Sequence, residues 1–352
     1  MSVEIAHFQN FAKLKDTSLA FNDITVLAGK PSTGKSFVMK FMYAVDEALY
    51  LPTRNMRLLD AINSTINDDN KHEKIKEYIE ITKQIVDHNI ESVCRNLLKS
   101  IFSDINQISN NFSISSNNFK LKYNNNKLKV VFNKDSNQNT LEEVIFVETP
   151  LILEFKSFMN REKGKTPYHI ESLLNILDTD YSFTDEEQDK FIKGFTKKSK
   201  AIIGGDIESS GDSFIFNKDG GQNYDILNAS SGIKSIGLLQ YLVTNKALKK
   251  GSVLYWEEPE VHLHPEWQLK MVDLFVELMN AGVKIVFSTH SPYMADYLNA
   301  ISKKQKFRDR ISFNVLDEKD GVVTNHILDD ENWNILQKEL MDTFEDILWQ
   351  YL

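Results

Sequence analysis

The run "ITVLAGKPSTGKSFVMKF" constrains this chain more than any other stretch. Four β-favouring or apolar residues, Ile24 to Leu27, lead into Gly29-x-x-x-x-Gly34-Lys35-Ser36. Phe37, Phe41, Val45 and Leu49 then recur at helical spacing. A buried strand must therefore pass into a helix through a loop whose glycines let the backbone turn tightly. That strand, loop and helix order is the setting in which the pattern cradles a phosphate. Backbone N–H groups wrap the β-phosphate at the helix N-terminus, Lys35 reaches the β/γ oxygens, and Ser36 supplies a hydroxyl to Mg²⁺. Gly29, Lys30, Pro31, Ser32, Thr33, Gly34, Lys35 and Ser36 are thus the candidate residues for binding ATP or GTP. Pro31 and Ser32 stiffen the loop without removing a residue of the pattern.

The surrounding chain has 352 residues, enough for about two domains or for one domain carrying an insertion. A hydrophobic fraction of 41% with 26% charged residues is that of a globular protein with a packed core. No apolar run reaches the roughly 20 residues of a membrane helix, and the start "MSVEIAHFQN" lacks the basic and apolar regions of a signal peptide. A cytoplasmic protein with no membrane partner is expected. The single cysteine, Cys94, cannot form an internal disulfide and reads as core packing. The net charge of −9 argues against charge-driven nucleic-acid binding over the whole surface. Basic clusters at 193–200, 246–251 and 302–310 leave DNA possible as a local partner.

The last third carries the motifs that complete a phosphate site. "GSVLYWEEPE" is a short buried strand ending in acids, "PEWQLKMVDLFVELMNAG" a helix, and "VKIVFSTHSP" a second buried strand. This βαβ order implies a parallel sheet. Glu257 is placed to hold the Mg²⁺ shell and Glu258 to orient or deprotonate the attacking water. His290 is placed at a strand end to hydrogen-bond a γ-phosphate. A rival reading groups Glu258, Glu260, His262 and His264 as a metal cluster. "ISFNVLDEKDGVVTNHI" reads as a hairpin turning at Asp320-Gly321, and Trp333, Leu336, Leu340, Phe344 and Leu348 mark a terminal helix.

Between these ends the pattern changes. Apolar residues recurring from Ile75 to Ile108 predict one face of a long helix, and "FKLKY" and "LKVVF", divided by "NNN", predict a hairpin set. Helix-like "YHIESLLNIL" and an acidic helix start at "SFTDEEQDKF" precede strands at "KAIIGGDI" and "SFIFNKDGGQNYDIL". The expected organisation is a split head, 1–54 and 200–352, interrupted by a helical and β-hairpin subdomain at 55–199.

"GKPSTGKS", "ASSGIKS", "YWEEPEVHLHPEWQ" and "FSTHSP" follow one another in the order found in a known group. They resemble the ABC-type ATPases of the structural-maintenance-of-chromosomes, RecF and OLD (overcoming lysogenization defect) group, over roughly 1–50 and 200–300. The resemblance implies an α/β P-loop NTPase of ABC type with a mixed sheet flanked by helices, using ATP and Mg²⁺. It implies that Ser230 and Gly232 belong to a signature motif capping ATP held by a second copy, hence a homodimer. It further implies Glu257 in a position usually held by Asp, Glu258 as the catalytic glutamate, Val261 to His264 as the D-loop and His290 as the switch histidine, with Lys35, Glu258 and His290 carrying catalysis. A Gln-bearing loop is also implied and has no evident counterpart. Too little sequence follows "STHSP" for the nuclease domain of OLD-type proteins. A stand-alone head acting on a separately encoded effector, a nuclease or toxin of antiphage defence, is therefore expected. A DNA-maintenance head and a nucleotide-gated scaffold of negligible turnover are the alternatives.

Overall fold

A computed structural model describes residues 3–64, 90–102, 104–133, 141–159, 166–179, 181 and 186–341. Among them one sheet of eleven strands organises the chain. Its strands are β1 (Glu4–Phe11), β2 (Leu14–Phe21), β3 (Ile24–Gly29), β4 (Asn111–Ser115), β5 (Phe119–Asn124), β6 (Lys127–Phe132), β7 (Val144–Val147), β11 (Val253–Trp256), β12 (Lys284–Thr289), β13 (Ile311–Lys319) and β14 (Val322–Ile327). The order across the sheet is β6-β5-β4-β1-β2-β14-β13-β3-β12-β11-β7. β8 (Gly205–Ser210), β9 (Ser213–Lys218) and β10 (Gln222–Asp225) form a separate antiparallel sheet.

The sheet is mixed, and the sequence explains where it changes hand. β13, β3, β12, β11 and β7 run parallel. Every residue of β3, β7 and β11 is buried, as strands covered on both faces require. From β2 out to β6 the pairing is antiparallel, and β5 alternates buried and exposed residues because only one of its faces meets the core.

The helices are α1 (Lys35–Ser64), α2 (Ile90–Phe102), α3 (Ile152–Met159), α4 (Tyr168–Asp178), α5 (Glu186–Ile203), α6 (Ser231–Thr244), α7 (Pro265–Asn280) and α8 (Pro292–Gln305). One core unites α4, α6, α7 and α8 with one face of the parallel strands. The other packs α1 and α2 beneath β1, β2 and β4–β6. In it Phe8, Phe11, Phe41, Phe112 and Phe119 stack edge-on or tilted, tying the phosphate-loop helix to the antiparallel wing. Cys94 is buried there, its thiol pushed up to about 12 by burial. No described helix is long and apolar enough to cross a membrane.

Several boundaries differ from the sequence reading. The segment 55–199 contributes β4–β6 and β7 to the main sheet itself, β4 pairing with β1 and β7 with β11. β7 is apolar throughout, so it is stable only when covered on both faces. The helix expected to reach Ile108 ends at Phe102. There Asp104 accepts from the Asn106 N–H at 2.9 Å and caps a 3₁₀ turn, while the part of that helix before Ile90 lies outside the described residues. "KAII" belongs to α5, and the strand begins only at Gly205. The terminal helix begins near 334, with the Trp333 indole donating to Asp296 at 2.8 Å; Phe344 and Leu348 lie outside the described residues.

α1 is clasped to the sheet by the Tyr255 hydroxyl, which donates to Asp46 Oδ2 at 2.6 Å. Burial holds the Asp46 carboxyl up at about 6, against the pull of that hydrogen bond. Because the folded pKa lies above the unfolded one, the stability it confers is full below the unfolded value and is lost as pH rises through about 6. Asp46→Asn keeps the acceptor and removes the charge. Its stability relative to wild type should rise from near zero at pH 4 to a plateau above pH 7, on the order of 2 kcal/mol. Urea unfolding at pH 4, 6 and 8 measures this, and a difference independent of pH contradicts it.

Candidate active site

The C-terminal ends of β3, β11 and β12 meet at one edge of the parallel sheet, where Thr289 pairs with Ala28 and Trp256 with Phe287. This is where open α/β sheets bind ligands. The loop leaving β3 has its tight positions at Gly29 (φ +141°), Ser32 (φ 65°) and Gly34 (φ 93°). A Cβ at Gly29 would collide with the Leu316 carbonyl oxygen, so β13 enforces the glycine. Such turns make a concave row of backbone N–H groups that suits an anion.

Lys35 lies inside this loop, 5% exposed. Its Nζ donates to the carbonyls of Gly29 at 2.9 Å and Lys30 at 2.8 Å, and to Thr33 Oγ1 at 3.3 Å. Burial lowers its pKa to about 8, opposed by the negative charges of Glu258, Glu260 and Glu339. Near neutral pH it is a cation with few solvent competitors. Pro31 and Ser32 form the exposed crest of the loop, and Lys30 pairs with Glu339 at 3.5 Å.

The acids after β11 take different environments. Glu257 is pushed up to about 7, chiefly by burial, against the pull of Lys40 and of the neighbouring Ser36 side chain. Its Oε1 is buried without a hydrogen-bond partner. Glu258 sits at φ 45°, a costly backbone for a non-glycine residue, and its N–H donates to the Ser288 carbonyl and Oγ, each at 3.2 Å. Those bonds fix the carboxylate over β12. Its Oε1 lies 3.2 Å from His290 Nε2. Burial and the nearby Lys35 hold the His290 pKa down, against the pull of Glu258 and of the Gly29 backbone. Lys35, Glu257, Glu258, His290 and Ser36 therefore form one connected group.

Two further acids join it: Glu260, which the sequence reading groups only with the rival metal cluster, and Glu148, which that reading misses. Glu260 Oε1 accepts from the His290 backbone N–H at 2.6 Å and so fixes the histidine. Glu148, directly after β7, accepts from Lys40 of α1 at 2.7 Å and lies 2.8 Å from Nε2 of buried His169. Its pKa is lowered to about 2, first by His169. Its sequence signal is "VIFVE", the same apolar run ending in an acid as "VLYWE". No glutamine was placed at this site by the sequence, and the position beside Glu257's strand is held by Glu148.

Ser230 and Gly232 lie elsewhere. Ser230 caps α6 by accepting from the Ile233 N–H at 3.4 Å, and a Cβ at Gly232 would stand 3.2 Å from the Trp267 ring. With Ser231, His262, His264 and Trp267 they line an open cleft that includes none of residues 29–36. The rival metal cluster does not form: among the described residues no group of three or more His, Cys, Asp or Glu could hold a metal ion. His262 sits at φ 69°, and His264 Nδ1 accepts from the Glu266 N–H to cap α7. In the basic clusters five side chains are paired with acids, Lys198 on Glu277, Lys200 on Asp206 and Asp219, Lys249 on Glu142, Lys303 on Asp330 and Arg310 on Asp23.

A parallel sheet with a phosphate loop, paired strand-end acids and a strand-end histidine defines a P-loop ATPase fold of ABC type. The family described as "AAA domain, putative AbiEii toxin, Type IV TA system" matches residues 163–296. An SMC head bound to the C-winged helix domain of ScpA superposes with a TM-score of 0.55 and 11% identity, over 94% of this chain and 99% of that one. The Smc head domain with an extended coiled coil from Pyrococcus furiosus, bound to the C-terminal domain of ScpA, gives 0.51 and 11% identity, over 96% and 98%. A search of curated proteins found no match. In fold the chain is similar to ABC/SMC-type ATPase heads, and the match to the AAA domain covers residues 163–296.

Proposed function

We propose that the chain binds ATP on residues 29–36 and hydrolyses it between two copies of itself. The observation that carries this is the Glu258–His290 pair, 3.2 Å apart, held beside the loop that encloses Lys35. Lys35 exchanges its loop carbonyls for β/γ-phosphate oxygens. Glu258 accepts the proton of the attacking water, and His290 orients that carboxylate and reads the γ-phosphate.

The donor set suits Mg²⁺: a buried carboxylate oxygen of Glu257 with no partner, beside the hydroxyl of Ser36, is a pair of hard oxygen ligands. When bound, the ion would supply positive charge that offsets that of the phosphates. Ionised Glu257 and Ser36 would hold it, and Glu148 and Lys40 would fix the strand-end charges around them.

The signature residues of one copy would cap ATP held by the other, supported by their place in a cleft without loop residues. Closing and opening this two-fold sandwich would act on a separately encoded effector, a nuclease or toxin of antiphage defence. The toxin–antitoxin description of the matched domain supports that class of role. Light scattering tests the sandwich: mass should double with ATP and Mg²⁺ in wild type and stay monomeric in Ser230→Arg, whose bulk and charge block the cap. A mass indifferent to ATP in wild type contradicts it.

A further inference from the structure

We infer that Glu339 is a gate on the phosphate loop: its carboxylate docks the terminal helix on Lys30, and the phosphates of a bound nucleotide expel it, so that the end of the helix leaves the loop when ATP arrives. The inference rests on the phosphate-loop reading and adds to it a residue outside the motif that competes with the ligand. Residues 334–341 form a helix whose Ile335, Leu336 and Leu340 pack into the core shared with α4, α6, α7 and α8. Its start is anchored by Trp333, whose indole donates to Asp296 at 2.8 Å and whose ring meets Phe313 of β13 edge-on at 4.8 Å. β13 is also the strand whose Leu316 carbonyl abuts Gly29. From that anchor the helix runs to the phosphate loop, where Lys30 Nζ lies 3.5 Å from Glu339 Oε2.

Glu339 stands one turn after Ile335 and Leu336, on the buried face of the helix, where an apolar residue would pack better. It is only 8% exposed. Burying a carboxylate is costly unless it is well paired and hydrogen-bonded. Among the described residues its Oε1 is buried with no hydrogen-bond partner, and the ion pair of Oε2 is made to a lysine whose side chain is 52% exposed. An ion pair so open to water stabilises little. Packing alone therefore does not account for the acid.

What the carboxylate faces gives it a role. With Glu258 and Glu260, its negative charge favours the Lys35 cation against burial. Lys35 is the residue that would hold the β/γ-phosphates, so the same field opposes an anion at that place. Of the three acids, Glu258 is fixed by its backbone bonds to Ser288 and Glu260 by the His290 N–H, whereas Glu339 rides on a helix that can tilt. A polyphosphate on the loop brings several like charges into a partly desolvated place, where repulsion is far stronger than in water. Lys30 then serves the phosphates, and Glu339, with one oxygen already unbonded, gains hydration by leaving. Trp333 and fully buried Leu336 stay packed, so the movement is a hinge of the residues after Leu336. Occupancy of the loop is thereby passed to a helix that lies outside every nucleotide motif.

Calorimetry with a non-hydrolysable ATP analogue and Mg²⁺ on the full chain, paired with amide hydrogen exchange over residues 337–341, tests this. Glu339→Gln keeps the shape and removes the charge, and should raise affinity about tenfold, the order expected of one nearby like charge at an effective dielectric of about 20. Glu331→Gln makes the same charge change on an exposed residue just before the helix and should leave affinity unaltered. In wild type, exchange over 337–341 should quicken at least about tenfold when the analogue binds, and in Glu339→Gln it should be the same with and without it. Ser230→Arg should quicken as wild type does, because the gate acts within one chain. Unfolding curves that match wild type show that Glu339→Gln is folded. Analogue binding with exchange unchanged in wild type, quickening lost in Ser230→Arg, or equal affinity in Glu339→Gln and wild type overturns the gate and leaves the phosphate loop standing. No binding by wild type removes the phosphate-loop reading and the gate with it.

Discussion

Glu258→Gln is expected to lower phosphate release by about 10²–10⁴-fold, the range typical of losing a positioned general base. The amide has nearly the shape of the carboxylate. The backbone at φ 45° and its two bonds to Ser288 involve only main-chain atoms of residue 258, so position is kept. What changes is basicity, because an amide oxygen cannot take the water's proton. ATP affinity should stay within a few-fold of wild type, since neither the loop nor Lys35 loses a hydrogen bond. An ATP-bound dimer should therefore accumulate. A fall of less than tenfold at saturating ATP, with affinity intact, would place the base elsewhere.

Lys35→Ala is expected to weaken ATP binding at least about 100-fold. Charge-assisted hydrogen bonds contribute about 1.5–3 kcal/mol each, and the ammonium reaches at least two phosphate oxygens. Stability should change far less, because two effects oppose each other. The carbonyls of Gly29 and Lys30 lose a donor, while a cation whose burial lowers its pKa to about 8 is no longer kept from water. Calorimetry at pH 7 with thermal unfolding of the same samples separates binding from folding. Equal ATP affinity in mutant and wild type removes the phosphate-loop assignment.

The parts of this site that were legible in the sequence are those written in consecutive residues. Strand, glycine loop and helix, the acids after "VLYW" and the histidine after "VFST" need only local pattern to be found. Glu148 and β7 were not recognised as sheet elements, because four apolar residues do not choose between strand and helix. Their pairing partner, β11, lies about a hundred residues away. The metal cluster does not form although His262 and His264 line one cleft, because His264 caps α7 while Glu258 and Glu260 are engaged with His290. The lysines of the wing show the same limit. Alternation in "FKLKY" and "LKVVF" gave the strands, yet only the register reveals that Lys122 and Lys129 oppose each other. Runs of basic residues stand out more in the sequence, although Lys198, Lys200, Lys249, Lys303 and Arg310 among them fold back onto acids.

The most direct test of the central claim is phosphate release from Mg²⁺ and ATP by the full chain, purified side by side with Lys35→Ala and Glu258→Gln. The account predicts release that saturates with ATP in wild type and falls to background in both variants, with ATP binding lost only in Lys35→Ala. Release at equal rates in all three proteins, or none from wild type while it binds ATP, would contradict it.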